Sequence, residues 1–161
     1  MKIIKKLINV LTALIIIIGG IFLGLYIYGI IPYVVLSGSM EPTIKTGSLC
    51  FVNKNIKLDN VKKGDIIAFK LGNGTLVTHR VVEVNDSIVR TKGDNNKNAD
   101  GIDITKDNYI GKNIYWIPKV GYVVKVFQSL KGKIILFSCV ILLFISGLLF
   151  GEDKQKNKEG N

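Results

Sequence analysis

Two long uncharged stretches frame the chain, and alternating hydrophobic and polar positions fill the segment between them. Residues 7–31 carry no charged side chain, and this length exceeds the ~20 residues that a helix needs to cross a bilayer. Residues 134–150 form a second uncharged run of 17 residues, close to the lower limit of about 17 for a crossing. The pattern predicts two membrane-spanning helices that flank a domain over residues 32–133.

Each stretch has an alternative interpretation. The first could be a cleavable secretory signal, but the apolar part of such a signal is only ~7–15 residues long. This run is longer, and the tyrosines at its end, Tyr26, Tyr28 and Tyr33, are typical of a membrane interface. The second could be a buried core helix, but it shows no polar face. We therefore expect an anchor at each end.

The charges at the two ends predict the orientation. Lys2, Lys5 and Lys6 precede the first span, and basic residues beside a span favour the cytoplasmic side. Residues 1–6 are therefore expected in the cytoplasm and the domain of residues 32–133 outside it. The polar tail, residues 151–161, returns to the cytoplasm. This is the expected topology of a cell-membrane protein with two spans.

Between the spans, short runs rich in β-branched and aromatic residues are separated by turn signals. They predict five strands, over residues 48–53, 65–71, 75–84, 87–91 and 109–117. Asn73-Gly74 predicts a two-residue hairpin turn, because Asn and Gly adopt the positive φ angles that this turn requires. The fold class expected is a mainly β domain flanked by N- and C-terminal transmembrane helices.

A second, weaker turn signal, Asn85-Asp86, gives a predicted strand register. If these two residues form the loop, His79 lies opposite Lys92 on the next strand. Asp94 then falls on the same face, diagonal to His79, at a Cα distance of ~7–8 Å. This register favours a contact between Asp94 and His79, and a slip of one residue would remove it.

Composition and charge exclude several function classes. The net charge is +10, yet no zinc-ligand spacing, basic helix or aromatic-basic motif of an RNA-binding sheet accompanies it. We expect no nucleic-acid partner and relate the charge to anionic lipid or to solubility. Cys50 and Cys139 fall in different predicted segments, which argues against a disulfide framework and a Cys/His metal site. No metal and no cofactor are expected.

The candidate chemistry begins directly after the first span, in Ser37–Pro42. A hydroxyl becomes a nucleophile when a base accepts its proton and donors hold the oxyanion that forms. Gly38 and Pro42 suit a tight loop that presents Ser39, although an inert turn is the commoner role of such a loop. The chain has one histidine, His79, the natural proton acceptor near neutral pH; a purely structural histidine is the alternative.

Four segments, in order, resemble the successive boxes of type I signal peptidases. They are Ser37–Pro42, Gly64–Ile67, Thr78–Val82 and Thr91–Asn96. Most bacterial members carry a lysine where this chain has His79, so the chain resembles the endoplasmic-reticulum type of eukaryotes, archaea and some Gram-positive bacteria. That branch uses serine, histidine and aspartate in a β-rich catalytic domain at the membrane surface.

The resemblance implies a role for each candidate residue. Ser39 would be the nucleophile, His79 the general base and Ser37 a donor of the oxyanion hole. Both Asp94 and Asp100 match aspartates of the family pattern, and either could orient His79. Met40, beside the nucleophile, is expected either in lipid or in the core.

The function expected from the resemblance is a membrane-bound serine endopeptidase that removes signal peptides from exported preproteins. Its partners would be signal-peptide-bearing preproteins and membrane lipid, with the secretion translocon as a further candidate. Two alternatives stay open at this point. One is a specialised or self-processing serine peptidase of related fold, and the other is a non-catalytic membrane-anchored β domain that binds a partner protein.

Overall fold

The computed structural model describes residues 2–85 and 88–151 of the chain. Within them lie three α-helices: α1 (Lys2–Ile27), α2 (Val120–Gln128) and α3 (Leu130–Gly151). The same residues form six strands: β1 (Ile30–Val34), β2 (Leu49–Asn53), β3 (Ile66–Lys70), β4 (Leu76–Asn85), β5 (Ile88–Lys92) and β6 (Tyr109–Ile117).

All six strands pair antiparallel in one sheet, in the order β1-β2-β6-β3-β4-β5. The predicted mainly β domain is therefore confirmed. Strands β2 to β6 agree with the predicted strands to within one residue at each end. The sheet and the residues around it form one compact unit, Leu25–Lys125, whereas most of α1 and α3 belong to a second unit.

Strand β1 was not predicted, because its first residues continue the apolar run of the first helix. Helix α1 ends at Ile27 rather than at residue 31. Gly29 has a φ of 68°, and its N–H donates to the carbonyl of Tyr26 at 3.0 Å. A glycine in this left-handed conformation commonly ends a helix. Pro32 lacks an N–H and suits an edge strand, which is the position of β1.

The hairpin predicted at Asn73-Gly74 joins β3 to β4. Its loop is one residue longer than predicted: the N–H of Leu71 donates to the carbonyl of Thr75 at 2.9 Å, and that of Gly74 donates to the carbonyl of Leu71 at 2.8 Å. Gly74 has a φ of 81°, and Asn73 does not have a positive φ. This combination is the three-residue hairpin, in which a type I turn is followed by one left-handed residue.

The predicted register of β4 and β5 is wrong. Asn85 pairs with Ile88 inside the strands, so it is not a loop residue, and Asp86 lies outside the described residues. Next to the turn, Val84 lies opposite Val89, two residues beyond the predicted partner, and a bulge between Val81 and Glu83 reduces this shift to one residue. As a result Arg80, not His79, lies opposite Lys92. A one-residue slip exchanges the two faces of a strand, and it moves Asp94 toward Arg80.

Two clusters of buried apolar side chains support the sheet. The first comprises Val61, Ile67, Phe69, Val81, Val89 and Ile104. The second comprises Met40, Ile44, Cys50 and Ile66. Of the two expectations for Met40, the structure supports the core, since only 1% of this residue is exposed. The second cluster therefore anchors the chain on both sides of residues 41–43.

Among the described residues, one helix is long and apolar enough to cross a membrane, Lys6–Ile27 within α1. The predicted second span, residues 134–150, is helical as part of α3, and its crossing of a membrane stays a prediction. Gly151 of the predicted polar tail ends α3, and residues 152–161 lie outside the described part of the chain.

Candidate active site

Three side chains that are far apart in the sequence meet beside the first half of β4. The Nε2 atom of His79 lies 2.9 Å from the hydroxyl oxygen of Ser39. The other ring nitrogen, Nδ1, lies 2.7 Å from Oδ2 of Asp100. Neutral imidazole has one donor and one acceptor nitrogen, so donation from Nδ1 to the carboxylate leaves Nε2 free to accept the Ser39 proton. The arrangement is that of a nucleophile, a base and an orienting carboxylate.

Strand β4 fixes the position of His79. The residue lies opposite Ile67 of β3, and only 6% of it is exposed. Its ring stands edge-on to Phe69, with ring centroids 6.1 Å apart. His79 and Val81 are both buried, as their shared face predicts. Because packing surrounds the imidazole, its two nitrogens point to fixed partners.

Ser39 lies in the loop between β1 and β2, residues 35–48, which we call the Ser39 loop. Met40 and Ile44 are buried directly after it, and the N–H of Ile44 donates to the carbonyl of Met40 at 2.8 Å. Glu41 accepts hydrogen bonds from the backbone N–H of Thr46 at 3.1 Å and from its hydroxyl at 3.0 Å. These hydrogen bonds lower the pKa of Glu41. These hydrogen bonds and the buried side chains stabilise the loop around Ser39.

The loop after β5, residues 93–100, holds the other side of the Ser39 loop. The backbone N–H of Asn95 donates to the carbonyl of Ser39 at 2.9 Å. The side-chain amide of Asn95 donates to the carbonyl of Gly38 at 3.3 Å. Asn95 had no predicted role, although it belongs to the fourth box of the resemblance. It connects the two loops that carry the serine and the aspartate.

The two candidate aspartates occupy different places. Asp100 contacts His79, and it also accepts a hydrogen bond from the hydroxyl of Thr91 at 2.6 Å. Asp94 instead accepts from Nε and Nη2 of Arg80, at 2.8 and 2.7 Å. The hydrogen bonds with Arg80 lower the pKa of Asp94 and raise that of Arg80. The structure thus brings Asp100, and not Asp94, to the histidine.

Arg80 connects several segments beside the site. In addition to Asp94, its guanidinium donates to the backbone carbonyl of Gly64 at 2.9 Å and to the hydroxyl of Thr43 at 3.5 Å. A guanidinium suits this task because its donors point in several fixed directions. The ion pair with Asp94 therefore joins the loop after β5 to β4 and to the Ser39 loop.

Ser37 lies next to Ser39, with the two hydroxyl oxygens 3.3 Å apart. Both line a groove of about 520 Å³, together with His79. One wall is the segment 33–36, and the other is the segment 75–78, which leads into β4 and includes its first residues. Pairing of β4 with β5 begins at Arg80, so this part of β4 lies beyond the described pairs with β5. Such an edge can accept an extended peptide as an added strand.

Cys50 is not a rival nucleophile. It is a free cysteine in the core, with no measurable exposure. Burial raises the pKa of its thiol to about 12, and the thiolate is the reactive form of cysteine. Cys50 is therefore a poor candidate for a nucleophile, and the serine hydroxyls that line the groove remain the candidates.

Comparison with known proteins gives one family and several relatives. The model of the family "Signal peptidase, peptidase S26" matches residues 6–109. Signal peptidase I W of Bacillus subtilis (strain 168) is 42% identical over 78 residues, which cover 46% of this chain and 41% of the relative.

Two eukaryotic relatives are similar over a longer segment of 103 residues. The signal peptidase complex catalytic subunit SEC11 of Colletotrichum graminicola is 38% identical over 56% of this chain and 59% of the relative. The catalytic subunit SEC11C of Homo sapiens is 37% identical over 56% of this chain and 53% of the relative. The chain thus spans about half the length of the curated relatives that it matches.

Proposed function

The chain belongs to the signal peptidase family, peptidase S26, and from this membership we propose that it is a serine endopeptidase that removes N-terminal signal peptides from exported preproteins. The observation that carries the proposal is a pair of contacts: His79 Nε2 lies 2.9 Å from the Ser39 hydroxyl oxygen, and His79 Nδ1 lies 2.7 Å from Asp100 Oδ2. The named relatives, a signal peptidase I W and catalytic subunits of signal peptidase complexes, support the same activity.

The proposed reaction is acyl transfer. His79 accepts the proton of Ser39 through Nε2 while the serine oxygen attacks the scissile carbonyl carbon. The new oxyanion accepts hydrogen bonds from the Ser37 hydroxyl and from the backbone N–H of Ser39. His79 then donates the proton to the leaving amine, which leaves an acyl-enzyme. Water, activated by the same histidine, releases the signal peptide.

Asp100 supports this sequence without exchanging a proton. Its carboxylate accepts a hydrogen bond from the Nδ1–H of His79, which keeps the imidazole in the tautomer that presents a free Nε2. When Nε2 gains the serine proton, the imidazolium is stabilised by the negative charge 2.7 Å away. The same geometry thus serves both the attack and the later proton donation.

The groove suits a peptide substrate. An extended chain between residues 33–36 and the start of β4 would form main-chain hydrogen bonds with a strand edge. Its scissile carbonyl would then lie beside Ser39 and His79, which line the same groove. The exposed groove surface is mainly apolar, in keeping with the uncharged side chains expected near the cleavage site of a signal peptide.

We further propose that the protein is anchored in the cell membrane. Lys6–Ile27 would form the first span, residues 134–150 the second, and residues 32–133 would lie outside the cytoplasm. Protease added to the outside of intact right-side-out vesicles should then digest the β domain. Protection of that domain until detergent is added would contradict this orientation.

The function is tested with the full chain reconstituted in phospholipid vesicles with a signal-peptide-bearing preprotein. Wild type should release the mature product, whereas Ser39→Ala should release none above background. His79→Ala should lose most turnover while it still folds and inserts. Equal processing by wild type and Ser39→Ala would overturn the proposal in favour of a non-catalytic binding domain. Cleavage of the chain itself, but of no preprotein, would indicate a self-processing peptidase.

The two aspartates serve as a matched pair in the same assay. Asp100→Asn should lower kcat by about 10²- to 10⁴-fold, because a carboxamide no longer holds the imidazole in the required tautomer. Asp94→Asn, measured at a temperature at which it is folded, should lose much less activity. The reverse order would assign the orienting role to Asp94.

A further inference from the structure

The Oδ2 atom of Asp100 accepts two hydrogen bonds. One comes from His79 Nδ1 at 2.7 Å, and the other comes from the Thr91 hydroxyl at 2.6 Å. A hydrogen bond of this length to an ionised oxygen belongs to the short, charge-assisted class. The hydroxyl of Thr91 thus donates to the same carboxylate oxygen that accepts the hydrogen bond from His79.

Thr91 is placed by the strand pair that also carries His79. It lies on β5 opposite Val81 of β4, two residues along the strand from His79. No part of Thr91 is exposed. The branched Cβ of a threonine restricts the rotation of its side chain. Its hydroxyl is therefore a fixed point, set by the sheet.

Asp100, in contrast, does not lie in a strand. It is the last residue of the loop after β5, and the segment that begins with it runs along the outer edge of β5. The N–H of Asp100 donates to the carbonyl of Thr91 at 2.8 Å, and that of Ile104 donates to the carbonyl of Val89 at 2.8 Å. These bonds fix the backbone of Asp100 but not the rotation of its carboxylate. The hydrogen bond from the Thr91 hydroxyl to Oδ2 restricts the rotation of this carboxylate.

We propose that Thr91 is a positioning residue of the active site: its hydroxyl fixes the Asp100 carboxylate so that Oδ2 faces Nδ1 of His79. This inference rests on the proposed function and adds a residue to its machinery. Thr91 contacts neither the serine nor the groove, and it acts through Asp100 alone. Catalytic groups must be held within a narrow range of geometry by such surrounding hydrogen bonds.

The competing explanation is purely structural. A buried hydroxyl requires some acceptor, and Asp100 could serve only to satisfy Thr91. The two explanations differ in the property that depends on the hydroxyl: activity in the first, stability alone in the second. Substitutions that change the hydroxyl and the methyl group of Thr91 separately distinguish them.

The experiment uses two pairs of variants that each differ by the hydroxyl. Wild type and Thr91→Val both keep the two γ positions filled, and Thr91→Ser and Thr91→Ala both lack the γ-methyl group. Each full-length protein is reconstituted in vesicles, kcat and KM are measured on one preprotein, and Tm is recorded. The Ser/Ala pair provides the answer if Thr91→Val fails to fold.

We expect Thr91→Val to lower kcat by about 10- to 100-fold, the rate equivalent of a lost hydrogen bond to a charged group, with KM within about twofold of wild type. Thr91→Ser should keep most of the wild-type kcat in spite of a lower Tm. The kcat of Thr91→Ala should be lower than that of Thr91→Ser by the same factor that separates Thr91→Val from wild type.

Two results would overturn the inference. The first is an equal kcat within either pair: Thr91→Val would match wild type, or Thr91→Ala would match Thr91→Ser. The second is a kcat that changes in parallel with Tm across all four proteins. A failure of the proposed function is a separate outcome, because it would appear as absent cleavage by wild type or as cleavage by Ser39→Ala.

Discussion

Gly93 lies against the backbone carbonyl of Ser39, and a Cβ atom on Gly93 would stand 2.6 Å from that oxygen. The same added atom would stand 2.8 Å from the side-chain amide of Asn96. The loop after β5 can therefore approach the Ser39 loop only because residue 93 has no side chain. This approach brings the N–H of Asn95 to the Ser39 carbonyl.

We predict that Gly93→Ala lowers kcat by about 10- to 100-fold. The new methyl group must displace the backbone of Ser39, and a displacement of ~1 Å can reduce a rate ~100-fold. Turnover of a preprotein in vesicles is the measurement. Gly72→Ala is the matched control, because nothing lies within 4 Å of a Cβ atom there. Equal activity of the two variants would contradict the prediction.

We predict that Ser37→Ala reduces kcat and leaves KM nearly unchanged. The hydroxyl lies 3.3 Å from that of Ser39, where it can stabilise an oxyanion that forms only during the reaction. Loss of one such donor costs about 10²- to 10³-fold in kcat. Ser37→Thr keeps the hydroxyl and should retain more activity than Ser37→Ala. A Ser37→Ala enzyme with wild-type kcat would exclude this role.

Asp94→Asn should lower the free energy of unfolding at pH 7 by about 1–2 kcal/mol, because the ion pair with Arg80 is bidentate and partly buried. The pKa of Asp94 is lowered in the folded state, so this stabilisation is present above the unfolded-state pKa of ~3.9. It is lost as the pH falls through the lower, folded-state pKa.

The test compares wild type with Asp94→Asn in thermal unfolding from pH 7 down to pH 3. The two Tm values should differ at pH 7 and approach each other below about pH 4. Asp103→Asn is the control: Asp103 pairs with Arg90 at the surface, with side chains 45% and 51% exposed. Exposed pairs contribute little, so an equal loss in both variants would refute the assignment.

Reagents that modify thiols should leave the activity unchanged. Cys50 is buried, and burial raises the pKa of its thiol to about 12, so almost no thiolate exists at neutral pH. In a Cys139→Ser background, labelling by a maleimide should be slow in the native protein and complete after denaturation. Rapid native labelling with loss of activity would show that Cys50 is accessible and coupled to the site.

Much of the fold follows from local patterns. Alternating residues and turn signals predicted strands β2 to β6, because a half-buried strand imposes a period of two on its sequence. The resemblance to endoplasmic-reticulum-type signal peptidases is confirmed by the family match and the named relatives. Helix α1 was also predicted from its apolar run. The residue at which the helix ends was not, since Ile30 and Ile31 suit a helix and a strand equally.

The sequence by itself determined which groups could react: one histidine, a serine in a small-residue loop and two aspartates in or just after the fourth box. It could not decide between Asp94 and Asp100, because strand register depends on a bulge and on a loop whose paths are set by packing across the sheet. Only the tertiary structure brings Asp100 to His79 and Asp94 to Arg80. It also brings Thr91 to Asp100, a contact without a local signal because it forms between a strand and the segment along its edge.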